Sequence, residues 1–151
     1  MANAHLAWKA EGKATDYTFT LSEQRLVPGE FVPLHSHAYP EVFYVTNGPV
    51  TFHGPGAGSG GGSDPERVVR CETGTTIVIP TNAVHGFRND TDEARFILSI
   101  STYLHQTFFD SVAAAQERGE LAAQDMNHVM EKVAAIGRRH KMYFVPPEGS
   151  D

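Results

Sequence analysis

The chain has 151 residues, 40% hydrophobic and 20% charged, the proportions of one soluble globular domain with a sizeable core. Its formal net charge of −6, without a long basic run, argues against nucleic acid and anionic membrane surfaces as partners. The single cysteine, Cys71, rules out an internal disulfide and reads as a half-buried strand residue, while no apolar stretch reaches the roughly 20 residues that span a bilayer.

In chain order, Met1 to Lys9 has neither the basic start nor the apolar run of a signal peptide, so the cytoplasm is the expected compartment. Strand-like runs rich in β-branched and aromatic residues follow at Tyr17 to Leu21, Glu41 to Val45, Val50 to His53, Arg67 to Cys71, Thr76 to Ile79 and Ala94 to Tyr103. Turn-forming residues separate them, notably Val27-Pro28-Gly29, Asn47-Gly48-Pro49 and Asn89 to Asp92. Many short strands without intervening helices predict an antiparallel sandwich or barrel, best of the jelly-roll kind. Residues 54–63 are almost all glycine, serine and proline, predicting a flexible connection; the segment lacks the Lys-Ser/Thr ending of a phosphate loop.

After Tyr103 the periodicity becomes helical. Thr107 to Arg118 predicts a helix closed by Gly119, with Phe108, Phe109, Val112 and Ala113 on one side. Leu121 to Ile136 predicts a second, closed by Gly137, with an apolar stripe of Met126, Val129, Met130 and Val133 that packs onto the barrel or forms a lid or dimer surface. The basic run Arg138 to Lys141 complements that helix's dipole. Lys141 to Val145 reads as a last strand or arm, stopped by Pro146-Pro147. The expected organisation is a barrel over residues 1–104 and a helical extension over 105–151.

Chemistry concentrates in His35, His37, Glu41 and His85. In an extended chain positions 35, 37 and 41 share a parity, so their side chains face one way, and His85 joins them from a neighbouring strand. Three imidazoles and one carboxylate suit a single divalent transition ion (Fe, Mn, Ni, Cu, Co or Zn), and leave two octahedral positions open. Without a cation, a carboxylate buried among them is costly. The remaining histidines, His5, His53, His105, His128 and His140, lie outside this cluster; His53 should point outward, and surface or capping roles are expected of the others. Inward parity from Glu41 adds Phe43 and Val45, that from His85 adds Phe87, and the apolar positions of the strand Val50 to His53 add Val50 and Phe52, an apolar pocket lining suited to a small, planar or largely apolar substrate.

The ligands lie within two longer patterns: Gly29, five residues, His35-x-His37, three residues, Glu41, six residues, Gly48; then Gly74, five residues, Pro80, Asn82, His85, three residues, Asn89. Together they resemble the paired motifs of the cupin superfamily, over residues 29–89. The one departure is Asn82, where glycine is usual; Asn is the side chain that best tolerates a left-handed backbone. The resemblance implies a jelly-roll, or double-stranded β-helix, barrel of the small bacterial kind similar to quercetin-dioxygenase-like proteins, and a homodimer. It implies a metal-dependent oxidoreductase acting on an enol or phenol, with Glu41 as both ligand and proton acceptor. Isomerase, cyclase or lyase chemistry at the same centre, and ligand binding without turnover, are the alternatives.

Overall fold

The computed structural model describes residues 5–55, 63–122 and 125–146. Ten strands make two five-stranded antiparallel sheets: β1 (Leu6–Ala10), β2 (Thr20–Leu26), β3 (Phe31–His37), β4 (Glu41–Asn47), β5 (Val50–Pro55), β6 (Ser63–Cys71), β7 (Thr76–Ile79), β8 (His85–Arg88), β9 (Arg95–Ser101) and β10 (Met142–Phe144). One sheet runs β1-β2-β9-β4-β7, the other β10-β3-β8-β5-β6. Consecutive strands alternate between the sheets through much of the chain, giving the expected jelly roll. Two helices, α1 (Tyr103–Glu117) and α2 (Met126–Arg139), lie between β9 and β10. Neither is long and apolar enough to cross a membrane.

Alternation along the strands builds the interior. On β4, Glu41, Phe43 and Val45 are buried while Tyr44 is exposed; on β7, Ile77 and Ile79 are buried while Val78 is exposed. Phe43, Phe52 and Phe87 meet with ring centroids 5.2–5.3 Å apart, and Leu26, Val45, Val50, Ile79 and Ile97 pack around them. Each of these side chains contributes about 1.5–3 kcal/mol by leaving water. Cys71 belongs to the same core, where burial and the neighbouring Glu72 push its thiol up.

Of the differences from the sequence expectation, three matter most for the site. The first expected strand is β2, which begins at Thr20, not Tyr17, because Asp16 and Tyr17 take left-handed backbone (φ 53° and 60°) that closes a 3-10 turn over Gly12–Thr15; β1 precedes it, where no strand was expected. The Tyr17 ring instead meets Tyr103, centroids 4.9 Å apart. The second difference is that α1 begins at Tyr103, where a strand was expected to end. Tertiary contacts override local propensity there: buried Gln106 takes the Gly12 main-chain N–H through Oε1 at 2.8 Å. The helix does close before Gly119, whose φ is 74°.

Third, α2 spans Met126–Arg139, not Leu121 to Ile136. The Asp125 side chain caps it by accepting Asn127 N–H at 3.0 Å, and Gly137 is inside it rather than past its end. A side chain at 137 would lie 2.8 Å from the Met142 carbonyl oxygen, so Gly137 serves the close approach of β10. The stripe is shifted accordingly: Val133 and Ile136 are buried and Val129 partly so, whereas Met126 is 64% exposed. On α1, Phe108, Val112 and Ala115 are buried and Ala113 is exposed. These faces join Met142 in a second apolar cluster.

The C-terminal segment is also tied to the barrel by main-chain bonds. Met142 pairs with His37, Tyr143 with Ser36 and Phe144 with His35, so β10 covers the strand that carries the two histidines. Of the glycine-rich stretch, Gly54 and Pro55 end β5 and Ser63 begins β6; the other residues lie outside the described ones.

Candidate metal centre

β3 and β8 pair so that His35 stands directly opposite His85, after a register shift between Val32 and His35 that accommodates Pro33. His37 lies two residues along the same face, and β4 opens with Glu41 from the other sheet. All four predicted ligands converge and are at most 4% exposed. The ligating atoms of His35, His37 and His85 lie within 4.8 Å of one another, as do those of His37, Glu41 and a fifth residue, His105. Glu41 Oε2 is 3.0 Å from His37 Nε2 and 3.5 Å from His85 Nε2.

Main-chain carbonyls orient three of the imidazoles. His35 Nδ1–H donates to Pro33 (2.8 Å), His37 Nδ1–H to Tyr39 (2.6 Å) and His85 Nδ1–H to Ala83 (2.9 Å). In a neutral imidazole this leaves Nε2 as a bare lone pair, here turned toward its neighbours. His85 Nε2 is buried without a hydrogen-bond partner among the described residues. With neutral imidazoles these lone pairs need a cation between them and the carboxylate, whereas in metal-free protein Glu41 Oε2 accepts from His37 Nε2 when that ring carries a proton on both nitrogens; the donor set therefore fits a divalent transition ion. The turn before His85 has the anticipated shape: Asn82 sits at φ 66°.

Burial pushes His35 well below its usual pKa, His85 adds to the effect, and the bond to Pro33 opposes it. Burial lowers His105 as well. For Glu41 burial alone would favour the neutral acid, but His105, His37 and His85 outweigh it and hold the carboxyl well below the usual range. Both directions have the same consequence. As pH falls below about 6.5, unfolded chains take up protons that His35 and His105 refuse, so folded metal-free protein loses stability. At lower pH, protonation of Glu41 removes a further contribution. Urea midpoints of metal-free protein should fall between pH 8 and pH 5; a flat profile would contradict this protonation scheme.

A cupin-domain profile matches residues 22–101, more than half of the chain. The chain belongs to the cupin family. No curated protein matches it by sequence. Among solved structures this cupin resembles the polyketide cyclase RemF from Streptomyces resistomycificus, at 21% identity and TM-score 0.54, over 65% of this chain and 63% of that one. The match thus spans less than two thirds of the cyclase. A predicted oxalate decarboxylase from Thermotoga maritima matches at 20% identity and TM-score 0.55, over 64% of this chain and 77% of the other. A cupin-like protein of the same organism matches at 21% and 0.53, over 70% and 77%.

The cupin's other predicted positions sort clearly. Phe43, Val45, Val50, Phe52 and Phe87 do face inward, but they are 0–3% exposed and packed on one another. They form a solid floor under the centre, with the Phe43 ring 6.2 Å from that of His85. His53 is turned away from the centre, its Nε2 accepting from Arg88 Nη1 at 2.9 Å. His128 is exposed, His5 approaches Glu30 at 3.4 Å, and His140 ends α2 while bridging to Thr107 and Ser111 of α1.

His105 is the correction. Far from a surface or capping residue, it is 6% exposed, and its Nε2 lies 3.4 Å from Glu41 Oε1. Tyr39 and Ser99 complete the surroundings: Tyr39 stacks on His37 with centroids 4.1 Å apart and planes at 7°, and Ser99 Oγ–H donates to Glu41 Oε1 at 2.5 Å. The signal for His105 was helical spacing. It precedes Phe108 by three residues and Phe109 by four, on the buried side of α1, and a helix begun at Thr107 hides that relation.

Proposed function

We propose that this cupin is a cytoplasmic metal-dependent enzyme, an oxidoreductase of the dioxygenase type acting on a small enol or phenol. The observation that carries the reading is the convergence of three carbonyl-locked imidazoles, with ligating atoms within 4.8 Å of one another, two of which also face the Glu41 carboxylate in a buried site. His35, His37, Glu41 and His85 would hold the ion. When bound, such an ion supplies Lewis acidity toward a substrate oxygen and, where it is redox-active, electrons for dioxygen. Glu41, the one carboxylate among the candidate ligands, would take the substrate proton. The Phe43, Phe52 and Phe87 floor excludes water from beneath, which limits side reactions.

A second reading keeps the centre and omits dioxygen. Both a polyketide cyclase and a predicted oxalate decarboxylase share the fold, which favours testing ring closure and carbon–carbon cleavage beside oxygenation. The deciding experiment begins with metal analysis of protein purified without chelators. Loaded protein is then incubated with enols and phenols in an oxygen electrode and again under argon. Oxygen uptake with substrate loss supports the dioxygenase; turnover under argon selects the second reading. Tight binding of these compounds with no conversion in either atmosphere would make the protein a binding module.

A further inference from the structure

The four buried histidines around Glu41 are wired in two opposite ways. His35, His37 and His85 commit Nδ1–H to main-chain carbonyls and turn Nε2 lone pairs inward. His105 is reversed: its Nδ1 lies 3.1 Å from the Tyr39 hydroxyl and its Nε2 3.4 Å from Glu41 Oε1. A phenol O–H donating to Nδ1 leaves the imidazole proton on Nε2, where it faces a carboxylate oxygen. The other tautomer would aim a lone pair at that oxygen.

The carboxylate is therefore divided between two kinds of neighbour. Oε1 meets donors, Ser99 Oγ–H at 2.5 Å and His105 Nε2 at 3.4 Å. Oε2 lies 3.0 Å from His37 Nε2 and 3.5 Å from His85 Nε2, the atoms that carry the lone pairs when those rings are neutral. We infer that His105 is a positioning residue and not a ligand: with Ser99 it holds Glu41 by Oε1, so that Oε2 is presented to the cation shared with His35, His37 and His85. Tyr39 sets both sides of this arrangement, since its carbonyl fixes His37 and its hydroxyl fixes His105. His105 belongs to the first turn of α1, and the neighbouring Gln106 anchors that turn to Gly12. Helix α1 thereby reaches the centre and completes it.

This inference rests on the metal reading, and cobalt(II) titration of chelator-stripped protein, followed by visible absorption, separates the two. His105→Phe keeps the aromatic volume and removes the donor; His105→Gln keeps an N–H donor. Wild type is expected to bind one equivalent. His105→Phe should bind about 10–100-fold more weakly at unchanged stoichiometry, as changes just outside a ligand set do. His105→Gln should stay close to wild type. Tyr39→Phe should weaken binding by itself, and add nothing in the His105→Phe background because it acts through the same ring. That single variant also carries the test if His105→Phe does not fold. Unchanged affinity in His105→Phe and Tyr39→Phe would reduce His105 to packing. Binding lost in both His105 variants as fully as in His85→Ala would make it a ligand, and either result overturns the inference. A wild type that binds no cobalt overturns the metal reading and this role with it.

Discussion

Replacing His85 by alanine is expected to abolish metal binding. The side chain is fully buried, Ala83 fixes its Nδ1, and Nε2 has no partner among the described residues. Alanine removes one of four donors and leaves the Glu41 carboxylate facing fewer compensating groups. The affinity loss should exceed the about 10–100-fold typical of positions outside a ligand set. Melting temperature gives a readout independent of activity. A metal at about 100 times its Kd stabilises the folded state by roughly 2.7 kcal/mol, or about 5–11 °C for a chain of this size. Wild type should show that rise on adding cobalt or zinc, and His85→Ala should not. An equal rise in the mutant would mean that the ion binds elsewhere.

Part of the candidate ligand set was legible because its geometry is local. His35 and His37 are two apart on one strand, and alternation alone places both on one face. Asn82 was legible for a similar reason, since the turn it occupies needs one left-handed residue. What escaped was set by contacts distant in sequence. The inner face of β2 carries Thr20 and Ser22, small polar residues that leave no apolar alternation to read, so that strand was drawn too early. The start of α1 depends on Gln106 reaching Gly12, 94 residues away, and misplacing it hid His105. Glu41 seemed explained as a ligand, yet one of its oxygens is held by Ser99 and faced by His105, both from later elements. Parity rightly turned the apolar set inward, but it cannot distinguish a cavity wall from a packed floor. That difference depends on how Phe43, Phe52 and Phe87 fill the space between sheets.

Gly54→Ala is expected to be strongly damaging, although the sequence puts Gly54 at the edge of a stretch that reads as a flexible connection. It lies on β5 at φ 94°, a left-handed conformation that costs a non-glycine residue about 1–2 kcal/mol. A methyl group there would sit 2.1 Å from the Val84 carbonyl oxygen and 3.0 Å from His85 Cα. Both obstacles are main chain, so relief requires the strand carrying His85 to move. With the conformational strain, the total should be about 3 kcal/mol or more, which lowers the melting temperature by roughly 6–12 °C. Displacing the His85 backbone should also loosen the centre, so the fold and the metal affinity are expected to fail together. The useful control is Gly29→Ala, because Gly29 is left-handed too (φ 78°) but has nothing within 4 Å of the added carbon. It should lose only the strain, about 1–2 kcal/mol, and keep its metal. If both variants lose the same stability and neither loses metal, the approach of β5 to His85 does not help to place that ligand.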